Sequence, residues 1–272
     1  GRIESGTLRV SAMQLIDGTV SALLAGTGSV SKSGAGTVVL ETASTYTGGT
    51  RITGGTLALG GDERLSGFGG LAVEGGALEL GGFTQTVAGV ALNGGEIRNG
   101  TLIAASYELR LGSVSASMGG AGSVVKSGDG TVTLSGVNRY GGGASVEAGR
   151  LVLAIDGALS ESGTVSVSGG ELALGGTVQK VTTLSLLGGM VSGGSLSASG
   201  FEVRSGEVSA GLAGDGALLK TGSGLVVLSG ANVYRGETVV SEGTLRLAGS
   251  GVQTISGGTI TIGGGRLEIG TG

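Results

Sequence analysis

The residue types that usually carry chemistry are nearly missing from this sequence. It holds no His and no Cys in 272 residues. That removes the commonest general base, a Ser-His-Asp triad and a structural zinc site. No G-x-x-x-x-G-K phosphate loop is present. Ser29-Val30-Ser31-Lys32 and Ser123-Val124-Val125-Lys126 fit the S-x-x-K spacing of a serine nucleophile. That motif belongs at a helix start, whereas these residues read as strand, and Ala217 stands where a third Ser would fall. Glu74 with Glu79, or Asp62 with Glu63, could act as the acid and base of a polysaccharide-cleaving enzyme. Neither pair recurs, since Ser168 and Ala173 replace Glu74 and Glu79 one repeat later. Lone acids are more often solvated than catalytic. Asp is too rare for a calcium-binding nonapeptide repeat. No catalytic, cofactor-binding or metal-ligating residue is assigned.

Two residue types recur in a way that could bind a partner. Lys32, Lys126 and Lys220 are spaced by 94 residues, as are Tyr46, Tyr140 and Tyr234. The lysines could form a row of cations for an anionic glycan; the favoured alternative is a solvated residue between a strand and a Gly corner. The tyrosines could be a sugar-stacking platform; filling the core beneath a loop is favoured, because Tyr is the largest recurring side chain.

What positions these residues is a repeat without gaps. Gly34, Gly128 and Gly222, Leu40, Leu134 and Leu228, and Leu57, Leu151 and Leu245 keep the same interval. The copies are placed at 1–25 (partial), 26–119, 120–213 and 214–272 (partial). A finer pattern runs inside each copy: a short alternating strand, a Gly-Gly corner, then another strand. Arg51-Ile52-Thr53-Gly54-Gly55-Thr56-Leu57-Ala58-Leu59 is one example. Gly-Gly pairs follow at intervals near 20 residues, as at Gly75-Gly76, Gly94-Gly95, Gly169-Gly170, Gly188-Gly189 and Gly257-Gly258.

Strands of four or five residues bury too little to stand alone, so identical coils must stack, with Val, Leu and Ile inside and Gly at the bends. The predicted fold is all-β, a right-handed single-stranded parallel β-helix (solenoid) of about 14–15 coils at roughly 19 residues each. Gly supplies 64 residues and Pro none, which corner demand explains. An antiparallel sandwich would use turns such as Asn93-Gly94 or Asp129-Gly130 for hairpins, but has no need of a fixed 94-residue register.

Composition bounds the partners. Net charge is −4 with scattered basic residues, so there is no footprint for nucleic acid. No apolar stretch is long enough to span a bilayer. The lack of Cys fits a secreted protein. The chain opens inside a copy with no signal peptide, and so reads as an excised fragment.

Gly26-Thr27-Gly28-Ser29-Val30-Ser31-Lys32-Ser33-Gly34-Ala35-Gly36-Thr37-Val38-Val39-Leu40, then Tyr46-Thr47-Gly48-Gly49-Thr50 and Gly55-Thr56-Leu57, resembles the passenger-associated transport repeat, also called the autotransporter-associated β-strand repeat. The second copy resembles it through Lys126, Gly128, Gly130, Leu134, Asn138 and Tyr140, and the third through Lys220, Gly222, Gly224, Leu228, Asn232 and Tyr234. Ser44 departs from the usual Asn, and Gly143 and Glu237 are read as replacing the Thr of the G-G-T element. The resemblance implies the passenger of a type V secretion system, exported through an outer-membrane β-barrel of the same polypeptide. It implies the structural stalk of a bacterial surface protein, part of an adhesin or virulence factor, with repeats that aid secretion and folding. A host-cell or matrix protein or glycan is the expected kind of partner. The alternatives are a binding surface within the β-helix, and a β-helix polysaccharide-cleaving enzyme.

Overall fold

The computed structural model describes residues 1–9, 11–249 and 258–270; Gly257 of the expected Gly257-Gly258 corner lies outside the described residues. The chain folds as two compact units, one of Gly1–Val124 with Val132–Gly141, the other of Val125–Thr131 with Gly142–Gly272. Each is a parallel β-solenoid, and together they hold about 14 coils. Among the described residues there is no helix.

In the first unit, one sheet stacks Arg2–Ile3, Gly18–Val20, Thr37–Leu40, Thr56–Leu59, Ala77–Glu79, Glu96–Arg98 and Gly112–Val114. A second stacks Ala12–Leu15, Ser29–Lys32, Thr50–Ile52, Leu71–Val73, Val90–Leu92 and Ser106–Leu109. The second unit repeats both, from Arg150–Leu153 to Arg266–Ile269 and from Ala144–Val146 to Ile260–Ile262. Each strand pairs in parallel with the strand one coil away, as Leu71–Val73 does with Val90–Leu92. Hairpin-linked antiparallel sheets are therefore not the architecture.

Alternation along each short strand sends every second side chain inward. Leu57, Leu78, Ile97 and Val114 follow one another in register. None is more than 1% exposed. Each such residue contributes about 1.5–3 kcal/mol of burial. The coils are not of equal length: Leu184 pairs with Phe201, a step of 17 residues, and Thr244 with Arg266, a step of 22. The expected coil of about 19 residues is an average, and the differences are taken up between strands.

A third, shorter sheet was not anticipated. In the first unit it holds Thr84–Val87, Thr101–Ala104 and Ser117–Gly119. In the second unit the corresponding residues belong to the nine-residue strands Val178–Leu186 and Ser195–Val203 and to Gly211–Ala213. Side-chain amides complete the edges of this sheet. Asn138 Oδ1 accepts the Met118 N–H at 2.8 Å, and Asn232 Oδ1 accepts the Leu212 N–H at 3.2 Å. At the opposite edge Gln85 Oε1 accepts the Leu65 N–H at 2.7 Å, and Gln179 Oε1 that of Leu159 at 3.1 Å. All four amides are buried, as buried backbone donors require.

Ser44 holds the Asn position of the first copy, and its hydroxyl lies 3.5 Å from the Thr42 carbonyl instead. Ser44→Asn is expected to bring an amide oxygen to the Leu24 N–H and to raise the unfolding free energy by about 1 kcal/mol. Asn138→Ala is expected to lower it by ~1–3 kcal/mol, by stranding the Met118 donor. Denaturant unfolding of both variants checks this; equal and unchanged midpoints would contradict the capping role.

Candidate functional site

The repeated lysines lie inside the solenoid. Lys32, Lys126 and Lys220 are each 0% exposed. This corrects the expectation of a solvated residue, and the three lysines form no exposed row of cations. The reason is strand parity: in Ser29–Lys32 the side chain of Val30 points inward, and Lys32, two residues on, shares its face. Each ammonium sits in a cage of backbone carbonyls. Lys32 Nζ donates to Ser33 O at 2.7 Å, Gly34 O at 3.1 Å and Gly54 O at 3.0 Å. Lys126 Nζ donates to Ser127 O, Gly128 O and Ala148 O at 2.8, 2.7 and 2.9 Å. Lys220 Nζ donates to Thr221 O, Gly222 O and Glu242 O at 2.8, 2.6 and 3.0 Å. Three N–H bonds meet three acceptors in every copy, which is the full donor capacity of an ammonium. Two acceptors lie in the lysine's own corner and the third in the next coil.

Corner glycines stand against this cage. Gly55, Gly149 and Gly243 all have φ of +64°, a conformation that a Cβ disfavours. A Cβ there would also stand 2.5–2.7 Å from the lysine Nζ and 2.3–2.5 Å from two carbonyl oxygens. Burial pushes all three ammonium groups below the ordinary lysine pKa, while Asp17, Asp129 and Glu242 respectively act in the opposite direction.

The repeated tyrosines are core fillers. Tyr46, Tyr140 and Tyr234 are at most 1% exposed, so none offers a face for a sugar. The Tyr46 hydroxyl bonds Thr50 Oγ1 four residues on, and Tyr234 bonds Thr238 Oγ1 at 2.8 Å. This corrects the reading of the G-G-T element: its Thr is kept as Thr238 in the third copy and replaced by Ala144 in the second, while Gly143 and Glu237 stand for its second Gly. Phe201 packs on Tyr234 with ring centroids 5.6 Å apart. Its counterpart Tyr107, also buried, donates to Leu102 O or Gly119 O, both at 2.7 Å.

The caged lysine, the positive-φ glycines and the buried tyrosine occupy the segments that match the family described as passenger-associated-transport-repeat, residues 30–59, 124–153 and 218–247. The chain carries three passenger-associated transport repeats. It is similar to a curated relative, the adhesin BmaC autotransporter of Brucella suis biovar 1 (strain 1330), at 33% identity over 162 residues. That match covers 57% of this chain and 4% of the relative, so the chain spans a small part of the protein it resembles. No solved structure matches it.

Around the transport repeats, the candidate acids are tied into structural contacts. Arg51 hydrogen-bonds Glu74 and holds its carboxyl below the usual range. Burial pushes Glu79 up, but hydrogen bonds from Asn99, the Gly81 N–H and Arg98 outweigh it and leave the group lowered. A general acid needs the opposite shift. Asp62 accepts the Thr84 N–H at 2.7 Å, as Asp156 accepts that of Val178 at 2.8 Å. Glu63 has φ of +54° where the next copy has Gly157 at +67°, and its carboxylate takes the Thr86 N–H and hydroxyl. The broad groove of about 600 Å³ across Gly49, Gly70 and Gly89 has Arg51 and Glu108 as its only ionisable lining residues. Ser29 is not among the described partners of Lys32 Nζ, so S-x-x-K makes no nucleophile pair here.

Two measurements test this reading of the repeats. Of the four lysines, Lys180 alone is exposed, its side chain at 67%. Amine acylation of the native chain is expected to modify Lys180 and the N-terminus and to spare the other three until denaturant is added. Comparable modification of Lys126 in the native chain would contradict the cage. In alkali, burial raises Tyr107 to about 12, and Tyr46 and Tyr234 also rise for the same first reason. Their folded pKa exceeds the unfolded value of about 10. Their contribution to stability is therefore intact below about pH 10 and lost as pH climbs through each folded pKa, which for Tyr107 is about 12. Tyrosinate absorbance should stay low past pH 10 and rise together with loss of β-sheet circular dichroism. A rise at pH 10 with the sheet intact would contradict the burial.

Proposed function

We propose that this chain is a stretch of the surface-exposed stalk of a type V secreted, adhesin-like bacterial protein, not an enzyme, and that its repeats aid export and folding outside the cell. The observation that carries this reading is where the repeat's residues go. The recurring Lys, Asn and Tyr side chains and the Gly bends close the coil, and none of those side chains is spent on an exposed site. The name of the adhesin relative supports the assignment to the cell surface and the outer-membrane route. Contact with a host-cell or matrix protein or glycan belongs to the same reading. A polysaccharide-cleaving enzyme is the weaker alternative, since each candidate acid has a structural partner.

In the full-length protein, removal of residues 120–213 leaves neighbouring copies in register, because the copies join without gaps. Surface display, read by antibody on intact cells, is expected to fall several-fold while the purified deletion protein still folds. Undiminished display would sink the transport role.

A further inference from the structure

We propose that each buried lysine is a latch between two coils, so that under tension the solenoid opens in blocks set by the lysines and not coil by coil. This rests on reading the chain as a stalk held at a cell surface. Three observations carry it. First, the cage reaches forward: the partners of Nζ lie 1, 2 and 22 residues ahead of the lysine in all three copies. One ammonium therefore joins its own corner to the corner of the following coil. Second, the latch is sparse. Lys32, Lys126 and Lys220 are the only charged residues among the buried ones, so the intervening coils have no such joint among the described residues. Those coils are held by aliphatic stacking, as in Leu57, Leu78 and Ile97, by neutral ladder bonds, and by solvent-accessible ion pairs such as Arg51–Glu74 and Arg98–Glu79, which water screens and which carry little energy.

Third, the latch has no low-cost half-open state. Pulling the forward coil away takes Gly54, Ala148 or Glu242 from the cage and leaves an interior ammonium with an N–H unfilled. A buried charge that loses a partner is far more costly than a stretched neutral bond. Force therefore builds at the lysine coil. Once it gives, the weaker coils up to the next lysine run out in the same event.

Single-molecule pulling of the intact chain from its two ends tests this. Lysines 94 residues apart should give contour-length gains of about 30 nm, at roughly 3.3–3.6 Å of extended chain per residue. Opening coil by coil would give gains of about 6–7 nm by the same conversion. Lys126→Met keeps the apolar stem and strips the donors; it should merge two events into one of about 60 nm. Lys180→Met, at an exposed residue, should leave the 30 nm gains unchanged. Gains of single-coil size in the parent chain, one all-or-none release, or a Lys126→Met trace identical to the parent would each overturn the latch. Should Lys126→Met fail to fold, the parent trace and Lys220→Met still decide. The stalk reading is tested separately by surface display and can fail while the latch stands.

Discussion

An ammonium ion held by three backbone carbonyls is the constraint on which the rest of each repeat depends. Burying a charge costs several kcal/mol unless its hydrogen-bonding capacity is met. Lys32, Lys126 and Lys220 meet it with carbonyls and no buried carboxylate. Carbonyls can converge on one point only if the chain bends sharply beside them. That demands positive φ at Gly34 and Gly55 and at their counterparts. It also forbids a Cβ at Gly55, where the Nζ itself stands in the way. At the three lysine coils one polar contact thus ties a lysine, two kinds of glycine and two successive coils together.

The same logic explains the other polar residues of the interior. Uneven coils leave a third sheet only a few strands wide, and its outer N–H groups would be stranded. Asn138 and Asn232 supply the carbonyl oxygens that an absent strand would have given, and at the opposite edge Gln85 and Gln179 reach from their strands to the N–H groups of Leu65 and Leu159. Tyr46 and Tyr234 fill the space beneath a long loop and bring a hydroxyl to a buried Thr. The proposed stalk role is supported by this economy of surface. The recurring side chains are consumed in holding the coil, and what faces solvent is mostly small, polar or paired in exposed Arg–Glu bridges of little energetic weight. Such a body suits a stalk.

Much of the architecture was legible in the chain. Period-two alternation in Thr56-Leu57-Ala58-Leu59 and glycine pairs near every 20 residues imply stacked short strands, and the gapless 94-residue interval argues against hairpins. The tyrosine burial followed from size. The lysine was misjudged because charge is ordinarily sent outward, although parity with Val30 and Val124 already placed it inside. Parity gives the same signal for Gln85, which shares a face with Val87. The third sheet could not be read: Thr84–Val87 and Thr101–Ala104 alternate like any other strand, and only the unequal coil lengths decide which strands meet. The role of Asn138 depends on a donor 20 residues away in another coil, which no local pattern reveals.

Three interior ammonium groups, each bound to three carbonyls, hold the repeats together. Nuclear magnetic resonance of the full chain labelled with nitrogen-15 at lysine Nζ tests this directly. Three slowly exchanging ammonium signals with through-bond couplings to backbone carbonyl carbons, beside one averaged signal from Lys180, is the predicted result. Four alike, rapidly exchanging signals without such couplings would contradict it.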